Sequence, residues 1–104
     1  MDVEALFTQL AVDLQDEGVT PGRLYGGSGL FVDGVPFACL KRDTMAFRLG
    51  QGTDAAREAL RIEGAGDFSP AGDGTVEPGW VAVPVEQVSE WNRLAETALN
   101  AARG

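Results

Sequence analysis

The stretch GRLYGGSGLFVDGVPFA, residues 22–38, decides the fold because it combines five glycines with two short apolar runs. The pair Asp33-Gly34 separates the runs LFV and VPF. Asp-Gly between apolar segments is the strongest short-range signal for a two-residue β-hairpin turn, and such a turn pairs Val32 with Val35. The stretch therefore predicts an antiparallel hairpin.

The glycines that precede this hairpin raise the question of a phosphate-binding loop. In such a loop the glycines open onto a helix N-terminus, and a P-loop also needs a lysine directly after its last glycine. Here a strand pattern follows Gly29, with no adjacent lysine. We therefore interpret the glycines as a bulge or sharp bend after a short strand segment that ends at Tyr25. The residues of this structural motif are Tyr25, Gly26, Gly27, Gly29, Asp33 and Gly34.

Strand alternation divides the hairpin and the strand after it between two faces. The predicted core face carries Leu30, Val32, Val35, Phe37, Cys39, Met45, Phe47 and Leu49. The opposite face, our candidate interaction face, carries Phe31, Ala38, Leu40, Ala46 and Arg48. This division requires a three-residue loop at 42–44, because a two-residue loop would bury the charge of Arg48 beside Phe37.

Apolar spacing predicts helices near both ends of the chain. Residues 2–17 place apolar side chains on one helical face, Gly18 suits a helix end, and 20–22 is typical of a turn. After Pro84, a second stripe predicts a long final helix. The members of that stripe are Val88, Trp91, Leu94, Ala95, Ala98, Leu99 and Ala102.

The middle of the chain completes the predicted fold. A short helix begins at 53 or 54 and ends at 61 or 62, and the glycine-rich segment 64–79 is mostly loop with a short strand near Phe68. A further strand covers 80–84. The order α-β-β-β-α-β-β-α predicts an α+β two-layer sandwich, with a mainly antiparallel sheet and helices on one face, in a single domain of residues 1–104.

Charge and composition exclude several classes of function. Sixteen acidic residues against eight basic ones give a net charge of −8, which disfavours nucleic-acid backbones and anionic membranes. Between Lys41 and Arg61, however, five basic residues outnumber three acidic ones. No apolar run is long enough to span a bilayer, and Asp2 and Glu4 stand where a secretory signal carries positive charge. We therefore expect a cytoplasmic protein without a membrane partner.

The chain also lacks common catalytic residues. It has no histidine, which removes every nucleophile that depends on a histidine base and the commonest zinc ligand. Cys39 is the only cysteine, so an internal disulfide and a CxxC pair are excluded, and its apolar surroundings predict a small buried side chain. We predict no cofactor.

The motif RLYGGSGLFVDGVPFA resembles the opening of the N-terminal domain of the TfoX/Sxy family of competence regulators. The resemblance continues through MAFRLG at 45–50, FSPAG at 68–72, GWVAVP at 79–84 and the spacing of Trp91, Ala95 and Ala98. It covers about residues 22–102.

Two departures limit what this resemblance implies. Leu24 and Tyr25 stand where the family usually has Met-Phe, and the competence regulators carry a second, C-terminal domain that does not follow here. Regulation of DNA uptake is therefore not carried over. The resemblance implies a cytoplasmic bacterial protein, with a fold similar to type III secretion chaperones and no established catalytic residues.

Three functions follow as hypotheses. The first is a regulatory or adaptor module that acts through protein–protein contacts of the candidate face, with an unknown partner or with a second copy as a homodimer. It requires that neither the 64–79 loop nor a helix covers this face, and both arrangements stay open. The second is a metal-assisted or carboxylate-based enzyme that uses Asp67, Asp73 and Glu77 of the same loop. The third is a DNA-associated transcriptional regulator, which the acidic net charge disfavours.

Overall fold

The computed structural model of the protein describes residues 2–104. Within these residues, three α-helices and six β-strands are joined in two places by 3₁₀ turns. In chain order the elements are α1 (Val3–Asp13), β1 (Val19–Leu24), β2 (Gly27–Val32), β3 (Val35–Lys41), β4 (Thr44–Arg48), α2 (Asp54–Ala59), β5 (Gly66–Asp67), β6 (Trp80–Pro84) and α3 (Trp91–Arg103).

The six strands form one sheet in the order β1-β2-β3-β4-β6-β5, and every neighbouring pair is antiparallel. Side chains of α1, α2 and α3 pack against one face of this sheet and form the main core with it. The predicted α+β fold with helices on one face is therefore confirmed. None of the helices within residues 2–104 is long and apolar enough to cross a membrane.

The N-terminal helix is shorter than the predicted range 2–17, since α1 covers only Val3–Asp13. The Asp2 carboxylate accepts hydrogen bonds from the backbone N–H groups of Glu4 and Ala5, at 3.0 and 3.3 Å, and so satisfies two free donors of the first turn. After α1 a 3₁₀ turn covers Gln15–Glu17, and Gly18 ends it with a φ of 84°. This left-handed conformation is the reason for a glycine at this position.

The C-terminal helix is shorter than its apolar stripe predicts. Val85–Glu90 forms a 3₁₀ turn in which Gln87 leaves helical geometry, so that α3 begins at Trp91. From Trp91 onwards the predicted helix is confirmed. The buried side chains of α3 are Trp91, Leu94, Ala95, Ala98 and Leu99.

The glycine-rich stretch contains one more strand and one more tight turn than predicted. The prediction of a turn at 20–22 is wrong, because these residues lie within β1 and pair with β2. Tyr25 and Gly26 form the two-residue turn between the two strands, with φ values of 53° and 78°. Positive φ at both central positions is what a type I′ hairpin turn requires. Gly27 and Gly29 lie inside β2, so a strand and not a helix follows them.

The hairpin predicted around Asp33-Gly34 is present, but its register shifts part way along. Phe31 lies opposite Pro36 as expected, whereas Leu30 lies opposite Ala38 and not opposite Phe37. The additional residue is a β-bulge, and it allows both Phe37 and Ala38 to enter the main core. Beyond the bulge, each residue of β3 points to the face opposite to the one predicted.

The three-residue loop predicted between the next two strands is also wrong. Lys41 lies opposite Thr44, so the loop consists of Arg42 and Asp43 alone. The prediction rejected this loop because it would have buried Arg48. The bulge has already reversed the alternation of β3, so a two-residue loop leaves Arg48 exposed. The bulge is therefore the cause of both wrong predictions, the face assignment in β3 and the length of the loop after it.

Apolar side chains gather on both faces of the sheet. The main core lies between the sheet and the helices, and a second, smaller cluster lies on the opposite face, which we call the outer face. The buried members of the smaller cluster are Cys39, Ala46, Phe68 and Trp80. Any site on the sheet itself therefore lies on the outer face.

Candidate interaction site on the outer face

The five residues predicted to share one face do not form a common surface. Phe31, Ala46 and Arg48 lie on the outer face, but Ala38 and Leu40 are buried in the main core because of the bulge in β3. Ala46 is itself fully covered. Only two of the five therefore reach solvent: Phe31 is half-buried and Arg48 is exposed.

A continuous row of small residues crosses the outer face from one edge of the sheet to the other. The successive cross-strand partners in this row are Gly22, Gly29, Cys39, Ala46, Ala82 and Gly66. Small side chains leave space above a sheet, and larger side chains on the same face fill it. The row therefore forms a floor on which aromatic rings lie.

At the β1 end of this floor, the ring of Phe31 covers two glycines. A Cβ atom at Gly22 would lie 2.9 Å from Phe31 Cε1, and one at Gly29 would lie 3.2 Å from the same atom. Leu24 is half-buried beside them. This end of the floor, which we call the open end, thus presents half-buried apolar side chains to solvent.

At the other end, three aromatic rings pack together over the floor. The ring centroids of Tyr25 and Phe68 are 5.8 Å apart, those of Tyr25 and Trp80 are 6.2 Å apart, and those of Phe68 and Trp80 are 5.7 Å apart. Phe68 and Trp80 are buried, and Tyr25 stands at the rim with 37% of its surface exposed. We call this the closed end.

The closed end is covered by the glycine-rich segment 64–79. Its short strand β5 lies where a strand was predicted, and Phe68 follows directly and seals the aromatic group. Residues 71–76 are all exposed. The segment therefore covers the closed end of the outer face and leaves Phe31 uncovered. The sequence left open whether this loop covers the face, and the structure shows that it covers only part of it.

Tyr25 links the turn, the floor and the covering segment. It is a non-glycine residue with a positive φ, and the Lys41 ammonium donates a hydrogen bond of 2.6 Å to its carbonyl oxygen. Burial, and then the negative charge of Glu77, raise the pKa of the Tyr25 hydroxyl above its ordinary value. The ring therefore keeps a neutral hydroxyl at the rim.

Cys39 lies in the floor and is fully buried. Its Sγ donates to the Leu24 carbonyl oxygen at 3.5 Å, and burial raises the pKa of the thiol to about 11. Because the thiolate is the nucleophile, a thiol in this state is unreactive near neutral pH. Cys39 acts here as a small packing residue, as its sequence context predicts.

The three loop carboxylates proposed for an enzyme do not line one cleft. Glu77 shares a cleft of about 280 Å³ with Asp67 and another of about 310 Å³ with Asp73. The Thr75 N–H donates to Asp73 at 2.9 Å and holds the pKa of that carboxyl below its ordinary value. Within residues 2–104, no three histidine, cysteine or acidic side chains are grouped to hold a metal ion.

Positive charge on the outer face is not neutralised by ion pairs. The ion pairs of the described chain are Arg57 with Asp54, Arg93 with Glu90, and Arg103 with Glu17. Within residues 2–104, Lys41, Arg42 and Arg48 have no such partner. Lys41 and Arg42 line a cleft of about 280 Å³ together with the carboxylates of Asp43 and Asp67, so the charges of this cleft are balanced.

Comparison with known proteins finds no matching family model and no curated protein that is significantly similar to this chain. The resemblance described above for residues 22–102 stays a prediction.

Sequence reasoning missed the aromatic group of the closed end. The pattern predicts Tyr25 as the end of a strand and Phe68 and Trp80 as strand residues, and it predicts no contact between their rings. A signal was present in the alternation of β4 and β6, where Ala46 and Ala82 are small on the same face. Small neighbours on one face of a sheet indicate that large side chains from elsewhere lie on them.

Proposed function

We propose that this chain is a cytoplasmic, non-catalytic protein of the TfoX N-terminal domain type that acts as a regulatory or adaptor module through protein–protein contacts. The contact surface is the open end of the outer face. One observation carries the proposal: Phe31 lies half-buried on a glycine floor, on the only sheet face that the described helices leave free. A half-buried aromatic side chain on a flat surface is typical of an interface anchor.

The chemistry around the anchor supports contact rather than catalysis. The Cys39 thiol is buried with a raised pKa, and the loop carboxylates are divided between two clefts. A half-buried apolar surface favours a partner that brings an apolar anchor of its own. A second copy of this chain brings such an anchor in its own Phe31, and the net charge of −8 on each copy opposes self-association at low salt.

Phe31→Asp tests the proposal, with Val12→Asp as the matched control. Val12 is 55% exposed on α1, so the control adds the same charge to an apolar side chain on the helical side. Light scattering at micromolar concentration measures self-association, and affinity capture from the native host measures association with a partner. Phe31→Asp should abolish the association, whereas Val12→Asp should retain it.

A second variant protects the test against a folding defect. Phe31→Ala removes the ring without adding a charge, so it should weaken association and keep cooperative unfolding. If the wild type is strictly monomeric and captures no partner, the proposal is wrong. It is equally wrong if both outer-face variants associate as the wild type does.

A further inference from the structure

The chain contains two Asp-Gly pairs, Asp33-Gly34 and Asp73-Gly74, and the proposed function uses the side chains of neither pair. We propose that Asp73 is a site of spontaneous backbone modification, at which the aspartyl residue converts to isoaspartate through a succinimide, and that the fold protects Asp33 from the same reaction. This inference goes beyond the proposed function and does not depend on it.

The reaction joins the Asp73 side chain to the nitrogen of Gly74, which is accessible because glycine has no Cβ atom. The Gly74 nitrogen attacks Cγ of the protonated Asp73 carboxyl, whose hydroxyl leaves as water together with the proton of the N–H group. A water molecule then opens the five-membered ring at either of its two carbonyls. Opening at the α-carbonyl directs the main chain through Cβ and Cγ and leaves a free α-carboxylate, so the mass and the charge of the protein are unchanged.

Exposure to solvent does not distinguish the two pairs, because Asp33, Gly34, Asp73 and Gly74 are all exposed. The difference lies in the backbone that each pair must rotate. Ring closure requires the aspartate to turn its Cα–Cβ bond towards the nitrogen of the following glycine, which is a rotation about ψ. The pair that makes this rotation at the lower cost in free energy therefore reacts faster.

The hairpin opposes this rotation at Asp33. Val32 and Val35 are cross-strand partners, so Asp33 and Gly34 are the two central residues of the turn, with φ values of 50° and 78°. In such a type I′ turn the ψ of the first central residue is about +30°, which directs its Cβ atom away from the following nitrogen. Rotation would give a type II′ turn, whose first central position favours glycine. Asp33 therefore reacts only through a strained turn.

No strand pairing restrains Asp73, because residues 71–76 lie outside the strands and are all exposed. Two hydrogen bonds engage the reacting groups. The Gly74 N–H donates to the Ser69 hydroxyl at 3.2 Å, and the Thr75 N–H donates to the Asp73 carboxylate at 2.9 Å. Both bonds are exposed, so water replaces them at little cost in free energy. The rotation at Asp73 therefore breaks no part of the sheet.

The change at Asp73 stays local because hydrogen bonds close the base of its segment. The Glu77 N–H donates to the Phe68 carbonyl oxygen at 2.9 Å, and the Trp80 N–H donates to the Glu77 carbonyl oxygen at 3.3 Å. An additional backbone atom at position 73 lies between Phe68 and Glu77, outside the sheet. The same atom at position 33 would lie inside a two-residue turn and would weaken the pairing of β2 with β3.

Prolonged storage of the folded protein near neutral pH tests the inference, and the chain unfolded in guanidinium chloride is the reference. In the unfolded chain the two sites should form isoaspartate at rates within about twofold of each other, because glycine follows both aspartates. In the folded protein Asp73 should form it more than about fivefold faster than Asp33. Digestion with a Glu-specific protease separates the two sites, and electron-transfer fragmentation distinguishes isoaspartate from aspartate at each.

Asp73→Glu is the matched control, because it keeps the charge and would require a six-membered ring, which closes far more slowly. Total isoaspartate, measured by methyl transfer from S-adenosylmethionine with an isoaspartyl methyltransferase, should fall in the folded variant to the amount formed at Asp33. The same ratio of the two rates in the folded and unfolded chains would overturn the inference. A faster reaction at Asp33 in the folded protein, or no isoaspartate at Asp73, would overturn it as well.

Discussion

The ring of Phe31 lies over Gly22 of the neighbouring strand, where a Cβ atom would stand 2.9 Å from Phe31 Cε1. This contact explains why glycines accumulate in two strands, where they ordinarily weaken a sheet. They leave the space that a large side chain on the same face occupies. The stretch that first suggested a phosphate-binding loop thus has a packing function.

Alanine at Gly29 should destabilise the protein for the same reason. Its Cβ atom would lie 2.8 Å from Leu24 Cβ, which cannot move without the backbone. We expect a loss of about 1–3 kcal/mol in the free energy of unfolding in urea. Gly66→Ala is the matched control, since the space around Gly66 is open, and it should stay within about 0.5 kcal/mol of the wild type. An equal loss in both variants would contradict the packing account.

Replacement of Arg42 by glycine should stabilise the protein. Arg42 has a φ of 60° in the loop between β3 and β4, a conformation that costs a side chain about 1 kcal/mol. Arg42→Gly relieves this cost, and Arg42→Ala removes the same side chain without relieving it. Urea unfolding should therefore rank the glycine variant above the alanine variant by up to about 1 kcal/mol. The reverse order would show that the positive φ at position 42 carries no strain.

The stability of the protein should fall in alkaline solution because of Cys39. Burial raises the pKa of its thiol from 9.0 to about 11, so between these values the unfolded chain has lost a proton that the folded chain retains. Unfolding is then favoured as the pH rises, by about 2 kcal/mol at pH 11. Well below pH 9 the thiol contributes no slope, because it keeps its proton in both states.

The Cys39→Ala variant provides the control for this pH dependence. It keeps every other titrating group, including Tyr25, whose pKa is also raised. The difference in the free energy of unfolding between the wild type and Cys39→Ala should be constant well below pH 9. It should narrow or reverse as the pH rises above that value. A difference that is flat up to pH 11 would show that the thiol is not buried in solution.

Pro21 should limit association of two molecules through the free edge of strand β1. In a two-residue hairpin the residues next to the turn form a hydrogen-bonded pair, so that in β1 Leu24, Gly22 and Thr20 bond to β2. Pro21 then faces outwards, where its missing N–H interrupts the row of donors that another strand would use.

Pro21→Val should therefore increase association with rising concentration, as measured by light scattering. Thr20→Val is the matched control, because the N–H of residue 20 is directed towards β2. The free edge of β1 then still lacks a donor at Pro21. Equal association of the two variants would mean that added apolar surface, and not the restored donor, is responsible.

Much of the fold was predictable because its strongest signals are local. The Asp33-Gly34 turn, the apolar face of α1 and the stripe of α3 each depend on a few neighbouring residues. The first strand was harder to predict, since Pro21 and Gly22 are typical of turns. They are tolerated in β1 because it is an edge strand.

The candidate face was mispredicted because alternation carries one error along a whole strand. Phe37 and Ala38 are both apolar, and the sequence contains no mark of the bulge that places them on the same side. Leu40 and Cys39 then exchanged faces in the prediction. The covering role of Phe68 depends on a contact between segments distant in sequence, which periodicity does not report.

The additional residue in β3 makes the length of this strand matter more than its composition. Removal of one residue between Val35 and Lys41 would turn Leu40 towards the outer face and Cys39 into the helical layer. Related chains should therefore tolerate varied apolar residues here, while insertions and deletions of a single residue should be excluded.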